Sequence, residues 1–165
     1  MIEAEDPVTM HVEPFLVLGI EARTSNAREM GGHGAIGALW GRLMNDNFLA
    51  HIPHRVDNHV IAVYTNYESD KDGEYSYLLG AQVNSIEKVP EEMASCQIVV
   101  GEYGMFTATG GPPAEMIVGI WKQIWSLEAG RKLERAYRTD FEIYSSGTTP
   151  SDTLVDVYIG LLPRD

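Results

Sequence analysis

The sequence predicts an α+β fold: two β-α-β-β units with antiparallel sheets, related by a pseudo-two-fold, with a ligand cleft between the halves. Three observations predict it. Similar segments recur at a nearly constant offset. Leu39-Trp40-Gly41-Arg42-Leu43 resembles Ile120-Trp121-Lys122-Gln123-Ile124 at 81, Val63-Tyr64 matches Ile143-Tyr144 and Leu79-Gly80 matches Ile159-Gly160 at 80, and Gly19 finds Gly101 at 82. Each half also passes from an apolar alternation to helical spacing and back to two alternating stretches. Turn-forming residues divide those last two stretches in both halves.

Taken in order, residues 14–24 read as a strand, with Leu16, Leu18 and Ile20 alternating against Val17 and Gly19. Ile36, Leu39, Trp40, Leu43 and Met44 recur at helical spacing. A strand at about 58–66 and another from Tyr75 to Val83 flank the turn Asp70-Lys71-Asp72-Gly73. The second half opens with a strand over about 96–107. Pro112-Pro113 then start a helix carrying Ile117, Ile120, Trp121 and Ile124, which Gly130 ends. Strands at about 139–145 and 153–162 flank a turn containing Gly147, Pro150 and Ser151. Residues 1–165 form one domain on this reading, with repeat 1 at about 11–85 and repeat 2 at about 95–163. One helix covers one face of each three-stranded sheet, and pairing the two units would bury the other.

Charge narrows the function. With 24 acidic against 12 basic residues the chain carries −12, a field that attracts cations and repels phosphate backbones, so direct nucleic-acid binding is disfavoured. The densest basic run, Arg131 to Arg138, is interleaved with Glu134 and reads as a solvated helix end and linker. Met1 to Asp6 are acidic and unlike a signal peptide, and no apolar stretch approaches the ~20 residues of a membrane span. The expectation is a cytoplasmic protein without membrane contact. Cys96 has no disulfide partner and reads as a buried, inert thiol.

Several motifs mislead. Gly32-His33-Gly34-Ala35-Ile36-Gly37 fits G-x-G-x-x-G, but a dinucleotide fold needs a tight turn before it and a parallel strand after it. Glu68, Asp70, Asp72 and Gly73 resemble the start of a calcium loop, yet its twelfth position would be Leu79 rather than a bidentate Glu. His51, His54 and His59 lack an acidic or Cys partner at metal spacing. Neither a metal nor a cofactor is expected.

Tyr77-Leu78-Leu79-Gly80, Gly101-Glu102-Tyr103, Asp140-Phe141-Glu142-Ile143-Tyr144 and Val157-Tyr158-Ile159-Gly160 follow one another in the pattern of a known family. Gly19-Ile20-Glu21-Ala22-Arg23-Thr24, Trp40 and Val63-Tyr64-Thr65-Asn66-Tyr67-Glu68 extend the match to nearly the whole chain. The chain resembles the gyrase-inhibitor-like effector-binding domains, which also form the drug-sensing parts of AraC-type and MerR-type transcription regulators. The resemblance implies the duplicated fold, a ligand in the central cleft, and a pocket carboxylate in D-F-E-x-Y, here Glu142. Regulators of this kind carry a DNA-binding domain ahead of the sensor, whereas only some ten residues precede the first strand here. A partner regulator protein could supply DNA binding, and the oligomeric state is left open.

The repeat singles out Glu142 independently, because its equivalent at an offset of 80 is Ala62. Symmetry offers Trp40, Trp121, Tyr64 and Tyr144 to one cleft, although either tryptophan would serve equally as helix–sheet core. A carboxylate among rings is costly unless it is paired, hydrogen-bonded or protonated. A small organic cation would relieve that cost and gain cation–π attraction. The ligand-binding set expected is therefore Glu142, Trp40, Tyr64, Tyr103, Trp121 and Tyr144. The plain alternative for Glu142 is an edge-strand salt bridge to Arg138. Two further alternatives come from the resemblance. Some relatives hydrolyse strained electrophilic compounds with a Glu that activates water and a Tyr that helps, matching Glu142 and Tyr103. Others act on a protein target, for which the acidic surface would matter and Glu142 would not.

Overall fold

The computed structural model describes residues 7–108, 113–145 and 154–163. The expected turn at Gly147, Pro150 and Ser151, together with Pro112 and the acidic stretch Met1 to Asp6, lies outside the described residues.

Strand β1 (Val8–Val12) precedes β2 (Leu16–Ser25), a short helix α1 (Asn26–Met30), helix α2 (Ile36–Asn45) and the hairpin β3 (Val60–Thr65) and β4 (Glu74–Val83). Strand β5 (Ala94–Gln97) then precedes β6 (Gly101–Ala108), helix α3 (Pro113–Ala129), and strands β7 (Arg135–Ser145) and β8 (Leu154–Leu161). All eight strands form one antiparallel sheet in the order β1-β6-β8-β7-β3-β4-β2-β5. Read from the centre outward the order is the same in both directions: β3, β4, β2 on one side and β7, β8, β6 on the other. The duplicated β-α-β-β plan is therefore present.

The halves join edge to edge through β3 and β7. Unpaired edge strands leave a row of backbone donors and acceptors, and joining two of them satisfies both rows. Residues of both halves also share one buried core on the helix-free face, to which exchanged segments contribute. Strand β1 leads into β2 but pairs with β6, whereas β5 leads into β6 but pairs with β2. The connecting segments meet where the Ile98 amide donates to the Phe15 carbonyl at 2.8 Å. Ile98 and Phe15 pack with Val17, Ile61, Val63, Leu78 and Phe141 in the core of that face. This exchange also explains why the single strand expected over 96–107 is broken between Gln97 and Gly101.

Helices α2 and α3 lie on the other face. Leu39 and Leu43 of α2 are buried over Leu18, Ile20, Tyr77 and Leu79, whereas Met44, expected in the same stripe, is 73% exposed. Met116, Ile120 and Ile124 of α3 are buried over Phe106, Val155, Val157 and Ile159. The register pairs Gly19 with Gly80, whose backbones approach so closely that a Cβ on Gly80 would lie 2.0 Å from the Leu18 carbonyl oxygen. Gly160 faces Tyr103 and not Gly101, so the glycine match at 82 does not carry into the register.

Candidate functional site

The register of β3 on β7 pairs Ala62 directly with Glu142. These two positions are also equivalent in the repeat, so the pseudo-two-fold passes through this pair. Glu142 thus sits where the two halves meet, on the helix-bearing face, and is 1% exposed. Its carboxylate accepts hydrogen bonds from the Tyr64 hydroxyl, the Trp121 indole N–H and the Tyr144 hydroxyl, each at 2.7 Å. Among the described residues no Lys, Arg or His forms an ion pair with it, and Arg138 is not its partner. Burial pushes the Glu142 pKa above the ordinary carboxylate range, and the three donors oppose that rise only in part.

Symmetry is broken by this one side chain. Trp121 reaches Glu142, but its counterpart Trp40 lies on the side where Ala62 offers no acceptor. Trp40 donates instead to the Tyr77 hydroxyl at 2.8 Å and sets its ring edge against Tyr144, 4.8 Å between centroids. Tyr64 packs at 5.2 Å against Trp121 and at 5.1 Å against Tyr77. Glu142, Trp40, Tyr64, Trp121 and Tyr144 therefore form one connected cluster.

Tyr103 is not part of it. It is buried on the opposite face of the sheet, where its ring packs on Phe141 at 5.4 Å and its hydroxyl donates to the Val99 carbonyl. Neighbouring residues on a strand point to opposite faces, so Phe141 and Glu142 cannot share a side, and Tyr103 follows Phe141. The Tyr103–Glu142 pair that the hydrolytic alternative requires is not assembled.

A cleft of about 400 Å³ opens above the cluster, between α3 and the segment from α1 to the start of α2. Ile117, Trp121 and Trp125, spaced one turn apart, make the α3 wall, while Asn26, Glu29, Met30 and Ile36 make the other. Tyr64, Tyr67, Tyr75 and Arg135 form the floor. Tyr64 and Trp121 thus face the cleft while holding Glu142 behind them; Trp40 and Tyr144 do not line it. A wider hollow of about 600 Å³ near β1 is lined by residues such as Pro7, Gly104 and Lys132 and contains no aromatic wall.

Sequence reasoning missed a second buried carboxylate. Asp140 is 0% exposed and accepts from Arg135 at 2.8 Å, from the Gly160 amide at 2.8 Å and from the Tyr67 hydroxyl. Arg135, placed by its sequence in a solvated basic run, is buried with its guanidinium 4.3 Å from the Tyr137 ring and 5.4 Å from that of Trp121. Residues five apart on a regular strand face opposite sides, and a bulge between Arg135 and Asp140 restores a common side. Tyr137 within it has a φ of 54°. No sequence signal announces such a bulge.

Glu29 accepts from the Ala35 amide at 2.8 Å and the Ile36 amide at 3.3 Å, capping α2 from outside the helix. The anion position of the G-x-G-x-x-G segment is thereby filled by the chain's own carboxylate, which leaves no place for a pyrophosphate.

A two-layer sheet of duplicated β-α-β-β units with a central cleft defines the gyrase-inhibitor-like effector-binding domains. Residues 10–161 match the model of the integron-associated effector binding proteins (Cass2), and the chain belongs to that family. It is 29% identical over 153 residues to YobU of Bacillus subtilis (strain 168), whose name marks it provisionally as a transcriptional regulator protein; the match covers 92% of this chain and 94% of that one. Its structure is similar to the crystal structure of the integron cassette protein VCH_CASS2 from the mobile metagenome of Vibrio cholerae, with a TM-score of 0.81, 29% identity, and coverage of 98% of this chain and 99% of the other. It also resembles SAV2435 in its complex with tetraphenylphosphonium, with a TM-score of 0.73, 15% identity, and coverage of 96% and 94%. Among the described residues no helix is long and apolar enough to cross a membrane.

Proposed function

We propose that this protein is an effector-binding module for amphipathic organic cations, which enter the cleft between α3 and the α1–α2 segment. The carrying observation is Glu142, a buried carboxylate with three hydrogen-bond donors and no cation among the described residues. A negative charge in a low-dielectric place remains costly even when hydrogen-bonded. Its donors Tyr64 and Trp121 line the cleft, so a guest cation meets two aromatic rings with the carboxylate behind them. Each well-placed ring contributes roughly 0.5–2 kcal/mol, and a chain of net charge −12 concentrates cations around itself. The tetraphenylphosphonium complex of SAV2435, a protein of the same fold, supports the ligand class. The name of YobU supports a role in which ligand occupancy is read by transcription machinery.

Hydrolysis is the weaker reading, because its helper Tyr103 lies across the sheet from Glu142. The test is a titration with tetraphenylphosphonium, followed by tryptophan fluorescence. Micromolar binding is expected, weakened at least tenfold in Glu142→Gln. Equal affinity in that variant would remove Glu142 from the account.

A further inference from the structure

The cleft is chemically polarised, and its second pole is not explained by a simple cation. Besides the Tyr64–Trp121 side, it contains donors that have no acceptor. The indole N–H of Trp125 and the Nε–H of Arg135 are both buried, and neither has a hydrogen-bond partner among the described residues. Both residues line the cleft, and the Arg135 side chain is only 2% exposed. A buried donor without an acceptor is rare in a folded protein and points to a group that arrives from outside. At the rim, Lys122, one turn before Trp125 on α3, is exposed and forms no ion pair among the described residues. Three donors, one of them a free positive charge, therefore line the cleft, Trp125 and Lys122 from α3 and Arg135 from the floor.

The opposite pole is acidic: Glu29 on the facing wall and Glu142 behind the floor, while Lys71 beside Asn26 is paired with Asp72 at 3.2 Å. The Arg135 charge does not cancel that pole, since its guanidinium is engaged by Asp140 at 2.8 Å and Glu128 at 3.6 Å. What remains is a site with an acceptor-rich end and a donor-rich end.

From this juxtaposition we infer that the preferred ligands are zwitterionic: organic cations that also carry a carboxylate or comparable anionic acceptor, bound by Trp125, Arg135 and Lys122 while the cationic part rests on Tyr64 and Trp121. The inference rests on the cation-binding reading above and narrows its ligand class. A plain lipophilic cation would leave the Trp125 and Arg135 donors empty.

The test uses a matched pair, (4-carboxybutyl)triphenylphosphonium and pentyltriphenylphosphonium, titrated calorimetrically into the intact protein and into Trp125→Phe and Lys122→Met. The phenylalanine keeps an aromatic wall, though a smaller one, and removes the N–H; the methionine keeps the stem and removes the charge. In the parent protein the carboxylated ligand binds at least fivefold more tightly. That ratio falls to about one in Trp125→Phe and is reduced in Lys122→Met, with the near-ultraviolet circular dichroism unchanged. Equal binding of the two ligands by the parent overturns the zwitterion inference and leaves cation binding standing. Failure of both to bind overturns the cation-binding reading itself. A ratio that survives both substitutions overturns the assignment of the donors.

Discussion

At the scale of a single residue, the proposed chemistry rests on Glu142. Its folded-state pKa lies above the ordinary value because burial penalises the charge more than Trp121, Tyr144 and Tyr64 stabilise it. A carboxyl group raised in this way stabilises the fold only while protonated. Its contribution is complete below the unfolded-state pKa and is lost as pH rises through the folded-state pKa. Once ionised, the group is a charge that burial penalises, and above the unfolded-state pKa the ligand-free fold bears the cost of that rise. Replacing it with Gln keeps an acceptor oxygen and removes the charge, so Glu142→Gln should melt higher than the parent at pH 7, by about 2–4 °C for each 1 kcal/mol recovered. The gain should vanish at pH values below the unfolded-state pKa. Thermal unfolding followed by circular dichroism checks both halves of the statement. A lower melting temperature at pH 7 would mean that the hydrogen bonds outweigh desolvation.

At the scale of elements, the strand pairings hold the site together. Glu142 is centred because β3 and β7 join with Ala62 opposite it, and the cleft exists because α2 and α3 lie on one face of a continuous sheet. That continuity depends on close backbone approach at Gly19 and Gly80, where a side chain would meet a carbonyl oxygen rather than a yielding side chain. Gly80→Ala should destabilise the protein by about 3 kcal/mol, the upper range for forced overpacking, read as a lower urea midpoint with an unchanged slope. Retained stability would mean that the β2–β4 pair can separate without penalty. Helices α2 and α3 and the six strands of the repeat were legible, since alternation and helical spacing are local properties of Leu16 to Ile20 or Ile117 to Ile124; the short α1 was not. The exchanged strands were not: β1 and β5 are short, and their partners lie in the other half. The bulge that buries Arg135 beside Asp140 was equally silent, because a step of five residues on β7 against two on β8 leaves no compositional trace.

Considered as a whole molecule, duplication supplies the architecture, and one substitution in it, a carboxylate where the other half has Ala62, carries the proposed function. Comparing the halves finds Glu142 from the sequence alone, because a charged residue replaces Ala62 at a position that must be buried in both. The same comparison overestimates Trp40. Symmetry places it opposite Trp121, but without a carboxylate on its side it bonds to Tyr77 and leaves the cleft to α3. Tyr103 was misplaced for a different reason: the resemblance assigns it a role, whereas strand parity sends it to the far face.

The most direct measurement is the affinity for tetraphenylphosphonium, whose charge does not vary with pH, as a function of pH in the parent and in Glu142→Gln. A cation that binds against the Glu142 carboxylate must compete with its proton, so affinity should fall as pH drops through the raised Glu142 pKa, by up to about tenfold per pH unit. The Gln variant should bind weakly and show no such slope. A parent affinity independent of pH, or an equal slope in both proteins, would contradict the account.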